Sequence, residues 1–226
     1  MLAAQIAKFQ NIKMPVYQIE ENVEFEIVNG PIGASLSGGA DSALMLYFLL
    51  KYTDGPVHVF TFASEEKFLK NPMSSIRVIS KCCELTGNYN VAHHIAYGKT
   101  QDKINLFKMP KEFLLNGTVD MVYTGVTKNP PAEIINNFAS ENTENDERDP
   151  TVIRPTVIGK WYRPWTNLDK QDLFRIYQHH NLLDTLFPVT RSCEWENETK
   201  HGADPELNHC GKCWWCQERA WGFGHI

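Results

Sequence analysis

The chain has 226 residues, 42% of them hydrophobic, with a formal net charge of -5, enough for one cored domain plus a small appendage. The acidic balance argues against a phosphate-tracking nucleic-acid binder, whose affinity would come from Lys and Arg neutralising phosphates. No run of about 18 apolar residues and no basic-then-apolar leader is present, so a soluble, unexported, cytoplasmic protein is expected.

In chain order, the alternation Val23-Glu24-Phe25-Glu26-Ile27-Val28 predicts a half-exposed strand ahead of the main fold. Pro31 to Leu36 predicts a short buried strand, followed by the polar string Ser37-Gly38-Gly39-Ala40-Asp41-Ser42 and an apolar helix from Ala43 to Tyr52. A second strand follows at Val57 to Phe62, then a helix from about Asn71 to Thr86 with Pro72 suited to its first turn. Val91 to Ala96 gives a third strand, Thr100 to Asn116 a helix, and Met121 to Thr124 a fourth strand ending at Gly125. Ser140 to Pro150 is acidic and turn-rich, and reads as a solvated loop. Beyond Arg163-Pro164-Trp165, Asn167 is placed to cap a helix running to about His180. Strands alternating with helices imply an α/β fold with a doubly wound parallel sheet, and ligands at the carboxyl ends of the strands.

The glycine string lies where a strand hands over to a helix. There, backbone N–H groups and about half a unit of positive helix-dipole charge face an incoming anion. Gly38 and Gly39 let the main chain approach phosphate oxygens. Ser37 and Ser42 supply hydroxyls, and Asp41 can orient the loop or hold Mg²⁺. The string is neither G-x-x-x-x-G-K-S/T nor G-x-G-x-x-G, which argues against simple kinase and dehydrogenase readings.

Six cysteines fall into two groups. Cys82 and Cys83 lie on a predicted helix and read as small core residues. Cys193 precedes Cys210-Gly-Lys-Cys213-Trp-Trp-Cys216 across sixteen intervening residues. Two x₂ spacings bring three thiols together in one tight turn, eased by Gly211, and a fourth completes a tetrahedral set. Zinc is the expected ion, with an iron–sulfur cluster left open as the rival. His201, His209 and His225 read as surface groups rather than ligands.

The Ser37-to-Ser42 string resembles the SGGxDS signature of the PP-loop ATP pyrophosphatases, whose fold is the adenine nucleotide alpha hydrolase type. Together with the cysteine cluster, Arg163-Pro164-Trp165 followed by Leu168, Lys170 and Leu173, and Thr190-Arg191-Ser192-Cys193, it resembles the 7-cyano-7-deazaguanine synthase family over about Ile32 to Gly222. The resemblance implies an N-terminal extension over 1–30, an ATP-binding domain over 31–189 and a four-cysteine zinc segment over 190–226. It implies Asp41 and Ser42 as catalytic residues. ATP would be bound by Ser37, Gly38, Gly39, Asp41, Ser42, Thr61, Phe62 and Gly125, with Thr61 to Ala63 beside adenine. ATP, Mg²⁺ and a structural Zn²⁺ are the implied cofactors. The implied reaction adenylates 7-carboxy-7-deazaguanine and releases AMP and pyrophosphate. Ammonia forms the amide, and a second ATP converts the amide to the nitrile.

The chain departs from that family at Thr124 to Glu133, where only Pro131 and Glu133 echo the usual substrate-side pattern. Three alternatives therefore stand: a PP-loop ligase for another carboxylate, a tRNA-modifying PP-loop enzyme, and a non-enzymatic nucleotide-binding module. The expected partners are a small-molecule acid and ammonia, with no membrane and no nucleic acid, and a homodimer is the one assembly considered.

Overall fold

The computed structural model describes residues 14–64, 70–98, 103–138, 156–193 and 209–224, with the backbone alone at 103–106 and 156–157. The loop expected at Ser140 to Pro150 lies outside the described residues.

Apolar strand runs separated by helices build a six-stranded sheet. Its strands are β3 (Ile32–Ser35), β4 (Val57–Ser64), β5 (Val91–Gly98), β6 (Met121–Thr124), β7 (Thr156–Ile158) and β8 (Trp161–Arg163). They lie in the order β5-β4-β3-β6-β8-β7. All adjacent pairs are parallel except β7–β8. This is the expected doubly wound α/β fold. Helix α1 (Ala40–Tyr52) and α2 (Asn71–Thr86) join the main core on one face. Helix α3 (Lys103–Leu115) covers the other through a smaller cluster of Phe60, Leu114, Val119 and Val122. Strand order reverses at β3, which has β4 on one side and β6 on the other. Their carboxyl ends part there and leave a crevice for ligand.

Helix α1 is buried nearly all round, from Ala40 to Leu50 with Asp41 the half-exposed exception. Each fully buried Leu or Phe on it contributes about 1.5–3 kcal/mol relative to exposure. The helix begins three residues earlier than its apolar run suggests, so Ala40, Asp41 and Ser42 form its first turn instead of a loop. The physical reason is Gly39, whose extended backbone makes it the cap residue.

The strand expected at Val23 to Val28 forms as β2 (Val23–Glu26), antiparallel to β1 (Val16–Glu20) across a turn in which Asn22 takes φ 65°. Phe25 is fully buried against Phe48 and Trp165, which ties this hairpin to the core.

A second correction concerns α5 (Lys170–His179). Its cap is Asp169 rather than Asn167. Asp169 Oδ1 accepts from the Gln171 and Asp172 amides, and Asp172 returns a bond to the Asp169 amide. These bonds satisfy three amide donors, those of Asp169, Gln171 and Asp172, which a side chain two residues upstream could not do. The helix closes with Asn181 at φ 55° and Leu182 N donating to Tyr177 O at 2.8 Å. A short helix α4 (Ala132–Ile135), a 3₁₀ turn (Phe187–Val189) and α6 (Trp214–Phe223) complete the described elements. Among the described residues no helix is long and apolar enough to cross a membrane.

Candidate active site and metal centre

Strand β3 ends at Ser35, and after four intervening residues α1 starts with no side chain capping its first turn. That leaves the helix N-terminus, with its positive dipole end, to whatever enters the crevice. Gly38 holds φ +87°, and a Cβ there would fall 2.5 Å from Ser74 Cβ and 3.1 Å from Ser75 N. The loop is therefore wedged against the first turn of α2, and only glycine fits. Gly39 N donates to Ser37 Oγ at 3.3 Å, and Ser42 Oγ donates to Gly39 O at 3.2 Å. The two serine hydroxyls lie 3.3 Å apart. The loop is also held from outside, because Arg191 N donates to Gly38 O at 2.8 Å.

Asp41 is held from three sides. Trp165 Nε1 donates to its carbonyl at 3.1 Å, and Tyr177 OH donates to the preceding Ala40 carbonyl at 2.7 Å. Full burial keeps the Tyr177 phenol well above its ordinary pKa, so it remains a neutral donor. Lys170 Nζ forms a close ion pair with Asp41 Oδ2. The other carboxylate oxygen, Oδ1, is buried with no hydrogen-bond partner. A carboxylate with one oxygen held and the other unmatched suits a cation, so Mg²⁺ accompanying a nucleotide fits this residue.

Of the residues expected at the site, Ser37, Gly39, Asp41, Ser42, Thr61, Phe62 and Gly125 line one cleft of about 580 Å³. Gly38 forms the back of the loop, packed on α2. Gly125 lies against the start of α1, where a Cβ would be 2.8 Å from Ser42 N and 3.0 Å from Asp41 C. Thr61 Oγ1 donates to Leu36 O at 2.9 Å, and His93 Nε2 lies 2.9 Å from the same hydroxyl. Because that hydroxyl proton goes to Leu36, the imidazole must donate through Nε2. Burial, and then His94, lower the His93 pKa, which favours this neutral form.

Lys111, Trp161 and Arg163, to which the sequence alone gives no role at the cleft, also line it, together with Thr124 from the expected substrate side. Trp161 meets Phe107 edge to face at 5.4 Å, and both rings line the cleft. Thr124 Oγ1 is buried without a partner. These positions come from α3, β6 and β8. No local spacing links them; only the sheet order does.

The second constellation is the cysteine cluster. Cys193, Cys210, Cys213 and Cys216 are all buried, with their sulfurs within 4.8 Å of one another. Cys210 Sγ and Cys216 Sγ are 3.9 Å apart, and Cys213 Sγ and Cys193 Sγ 4.0 Å. A tetrahedral ion with bonds of about 2.3 Å would space sulfurs by about 3.8 Å. The four thiols thus fit one metal ion. A cubane cluster would put each thiolate on a different iron and spread them further. Cys213 N and Lys212 N donate to Cys210 Sγ at 3.2 and 3.5 Å. The thiol contact with Cys193, together with burial, pushes Cys216 up to about 12, and contacts with Cys193 and Cys216 raise Cys213. Ionised together, four sulfurs this close would need a cation to carry their charge.

His209 was expected at the surface, but it is buried, with Nε2 accepting from Ser192 N at 3.3 Å beside the cluster. The reason is its place directly before Cys210, which draws it inward. His201 and His225 lie outside the described residues. Cys82 and Cys83 are buried on α2, as expected. Arg219 on α6 anchors the approach to Cys193, donating to Thr190 Oγ1 at 2.7 Å and Phe187 O at 3.2 Å. Burial lowers its pKa to about 10, so it stays cationic at neutral pH.

No family model matches the chain, and no curated protein sequence matches it. Solved structures similar to it include the U34-tRNA thiolase NcsA from Methanococcus maripaludis with its [4Fe-4S] cluster, at 16% identity and a TM-score of 0.44. That match covers 68% of this chain and 58% of the thiolase, so the chain spans less than two thirds of that protein. An NMN synthetase from Francisella tularensis matches at 12% identity and a TM-score of 0.42, over 86% of this chain and 77% of that one. An NH3-dependent NAD synthetase from Campylobacter jejuni matches at 12% identity and a TM-score of 0.41, over 87% of both. At these identities and scores, the function has to be read from the chain's own residues.

Proposed function

We propose that the cleft binds MgATP and that the protein adenylates a small-molecule carboxylate for attack by ammonia. The observation that carries this reading is Asp41: one carboxylate oxygen is held by Lys170 and the other is unmatched, at an uncapped helix N-terminus beside the Gly38–Gly39 loop. The loop and the first-turn N–H groups of α1 grip the β- and γ-phosphates, and Asp41 holds the Mg²⁺ that neutralises them. Ser37 and Ser42 lend hydroxyls. Phe62 and Thr61 border the adenine. Pyrophosphate is the leaving group these contacts stabilise. A carboxylate oxygen of the substrate attacks the α-phosphorus and pyrophosphate departs. Ammonia then adds to the acyl carbon, and AMP leaves with the former carboxylate oxygen.

The substrate proposed is 7-carboxy-7-deazaguanine. Supporting it are the resemblance of the paired motifs, the aromatic Phe107 and Trp161 in the cleft, and the Arg163 and Lys111 side chains lining it. A second ATP then activates the amide oxygen. Loss of AMP and the amide protons leaves the nitrile. The departure at Thr124 to Glu133 favours a second reading, in which the same machinery serves a different carboxylate. Zn²⁺ is proposed for the four cysteines as a structural ion, since four thiolates would leave it no open position.

The test is incubation with ATP, Mg²⁺, ammonium and 7-deazaguanine acids, reading nucleotides and product masses together. AMP and pyrophosphate are expected, and Asp41→Ala abolishes them. ADP and phosphate from pure protein would reject the reading.

A further inference from the structure

Lys170 is 5% exposed, yet it faces two carboxylates. Asp41 comes from the first turn of α1. Glu218, 1% exposed, comes from α6, with its Oε2 3.7 Å from Lys170 Nζ. Helix α6 is also the helix that starts at the cysteine cluster, with Cys213 as its cap residue and Cys216 in its first turn. The packing between α5 and α6 is intimate: a Cβ on Gly222 would fall 2.1 Å from Lys170 Cβ. The ammonium is thus fixed by backbone approach at its stem and by Glu218 near its tip. Asp41 Oδ2 is taken by the ammonium, while Asp41 Oδ1 has no hydrogen-bond partner, on the residue that lines the cleft.

From this arrangement we infer that Glu218 is a positioning residue for the nucleotide site, acting through Lys170. It holds the ammonium on Asp41 Oδ2, so that Oδ1 stays turned toward the cation that accompanies ATP. This inference rests on the nucleotide reading of the cleft. Outer groups that orient a ligating carboxylate typically tune metal affinity by about 10–100-fold. With Glu218 neutral, Lys170 loses its second anchor, and the Asp41 carboxylate is free to turn and share both oxygens with the ammonium. The cysteine-tethered tail thereby contributes to the phosphate site through one ion pair, without entering the chemistry.

The experiment titrates ATP into the full-length protein by calorimetry at a series of Mg²⁺ concentrations and reads the Mg²⁺ needed for half-maximal binding. Metal content at the cysteine cluster and the melting temperature are measured alongside. Glu218→Gln should raise the Mg²⁺ requirement about tenfold, with ATP affinity in the absence of Mg²⁺ and the cluster metal unchanged. Glu218→Asp keeps the charge but withdraws it by one methylene, and should fall between wild type and Glu218→Gln. If the amide variant does not fold, a wild-type Mg²⁺ requirement in Glu218→Asp overturns the inference. Asp41→Asn should abolish the Mg²⁺ dependence, and adding Glu218→Gln to it should cost nothing more. Asp41→Asn with wild-type Mg²⁺ dependence would overturn the nucleotide reading and this inference with it. A normal Asp41→Asn loss beside wild-type behaviour in folded Glu218→Gln would overturn the inference alone.

Discussion

Gly125 separates a structural role from a site role cleanly. Alanine there would put a methyl carbon 2.8 Å from Ser42 N, 2.9 Å from Ser42 Cα and 3.0 Å from Asp41 C. All three are backbone atoms, so no side chain can swing away, and the first turn of α1 must move by some tenths of an ångström. Overpacking of this kind costs about 1–3 kcal/mol, which for a chain of this length lowers Tm by roughly 3–10 °C. The same shift misaligns the N–H groups expected to face phosphate. Losing the worth of one charge-assisted hydrogen bond, about 1.5–3 kcal/mol, weakens MgATP binding by roughly 10–100-fold. Calorimetric titration of Gly125→Ala with MgATP measures this directly. The control is Ile19→Ala, a buried residue of the hairpin that should cost about 2–5 kcal/mol with no change in nucleotide affinity per folded molecule. Wild-type affinity in Gly125→Ala would refute the placement of phosphate at the start of α1.

Cys213→Ser should lose the single metal ion and lower Tm by roughly 10 °C or more; metal analysis is expected to give one zinc per chain in a colourless wild-type protein, whereas stoichiometric iron or an unchanged melt in the variant would contradict this. A pH effect follows from His58 and His94, whose rings approach at 3.0 Å between Nδ1 and Nε2. Burial lowers both pKa values, with His58 adding to the effect on His94. A depressed histidine is neutral when folded and takes up its proton more readily when unfolded. Stability from this pair is therefore full above about pH 6.5 and falls as pH drops through and below that value. The double variant His58→Asn, His94→Asn should lose less Tm than wild type between pH 7.5 and 5, and equal losses would refute it.

Much of this was legible locally. Apolar runs and turn residues locate β3 to β6 and α1 to α3, and in β3, β4, β6 and α1 burial and local propensity agree. The glycine string and the cysteine spacings marked both constellations, since each carries its chemistry within a few residues. Strands β7 and β8 are not legible in the sequence because three-residue strands hold too little alternation. Asp169 and Asn167 are both good caps by residue type, and only the reciprocal bond with Asp172 decides between them. The Asp41–Lys170–Glu218 chain could not be read at all. Its members are separated by more than a hundred and then by dozens of residues, and only the packing of α5 and α6 beneath α1 brings them together.

The most direct test of the central claim follows one oxygen atom. When the acid substrate carries ¹⁸O in its carboxylate, adenylation and attack by ammonia must deliver one labelled oxygen to the phosphate of AMP. Mass spectrometry of the AMP formed with ATP, Mg²⁺, ammonium and labelled 7-carboxy-7-deazaguanine should show that single-oxygen shift in step with product. Product accompanied by unlabelled AMP, or by ADP and labelled phosphate, would show that the α-phosphorus is not the atom attacked.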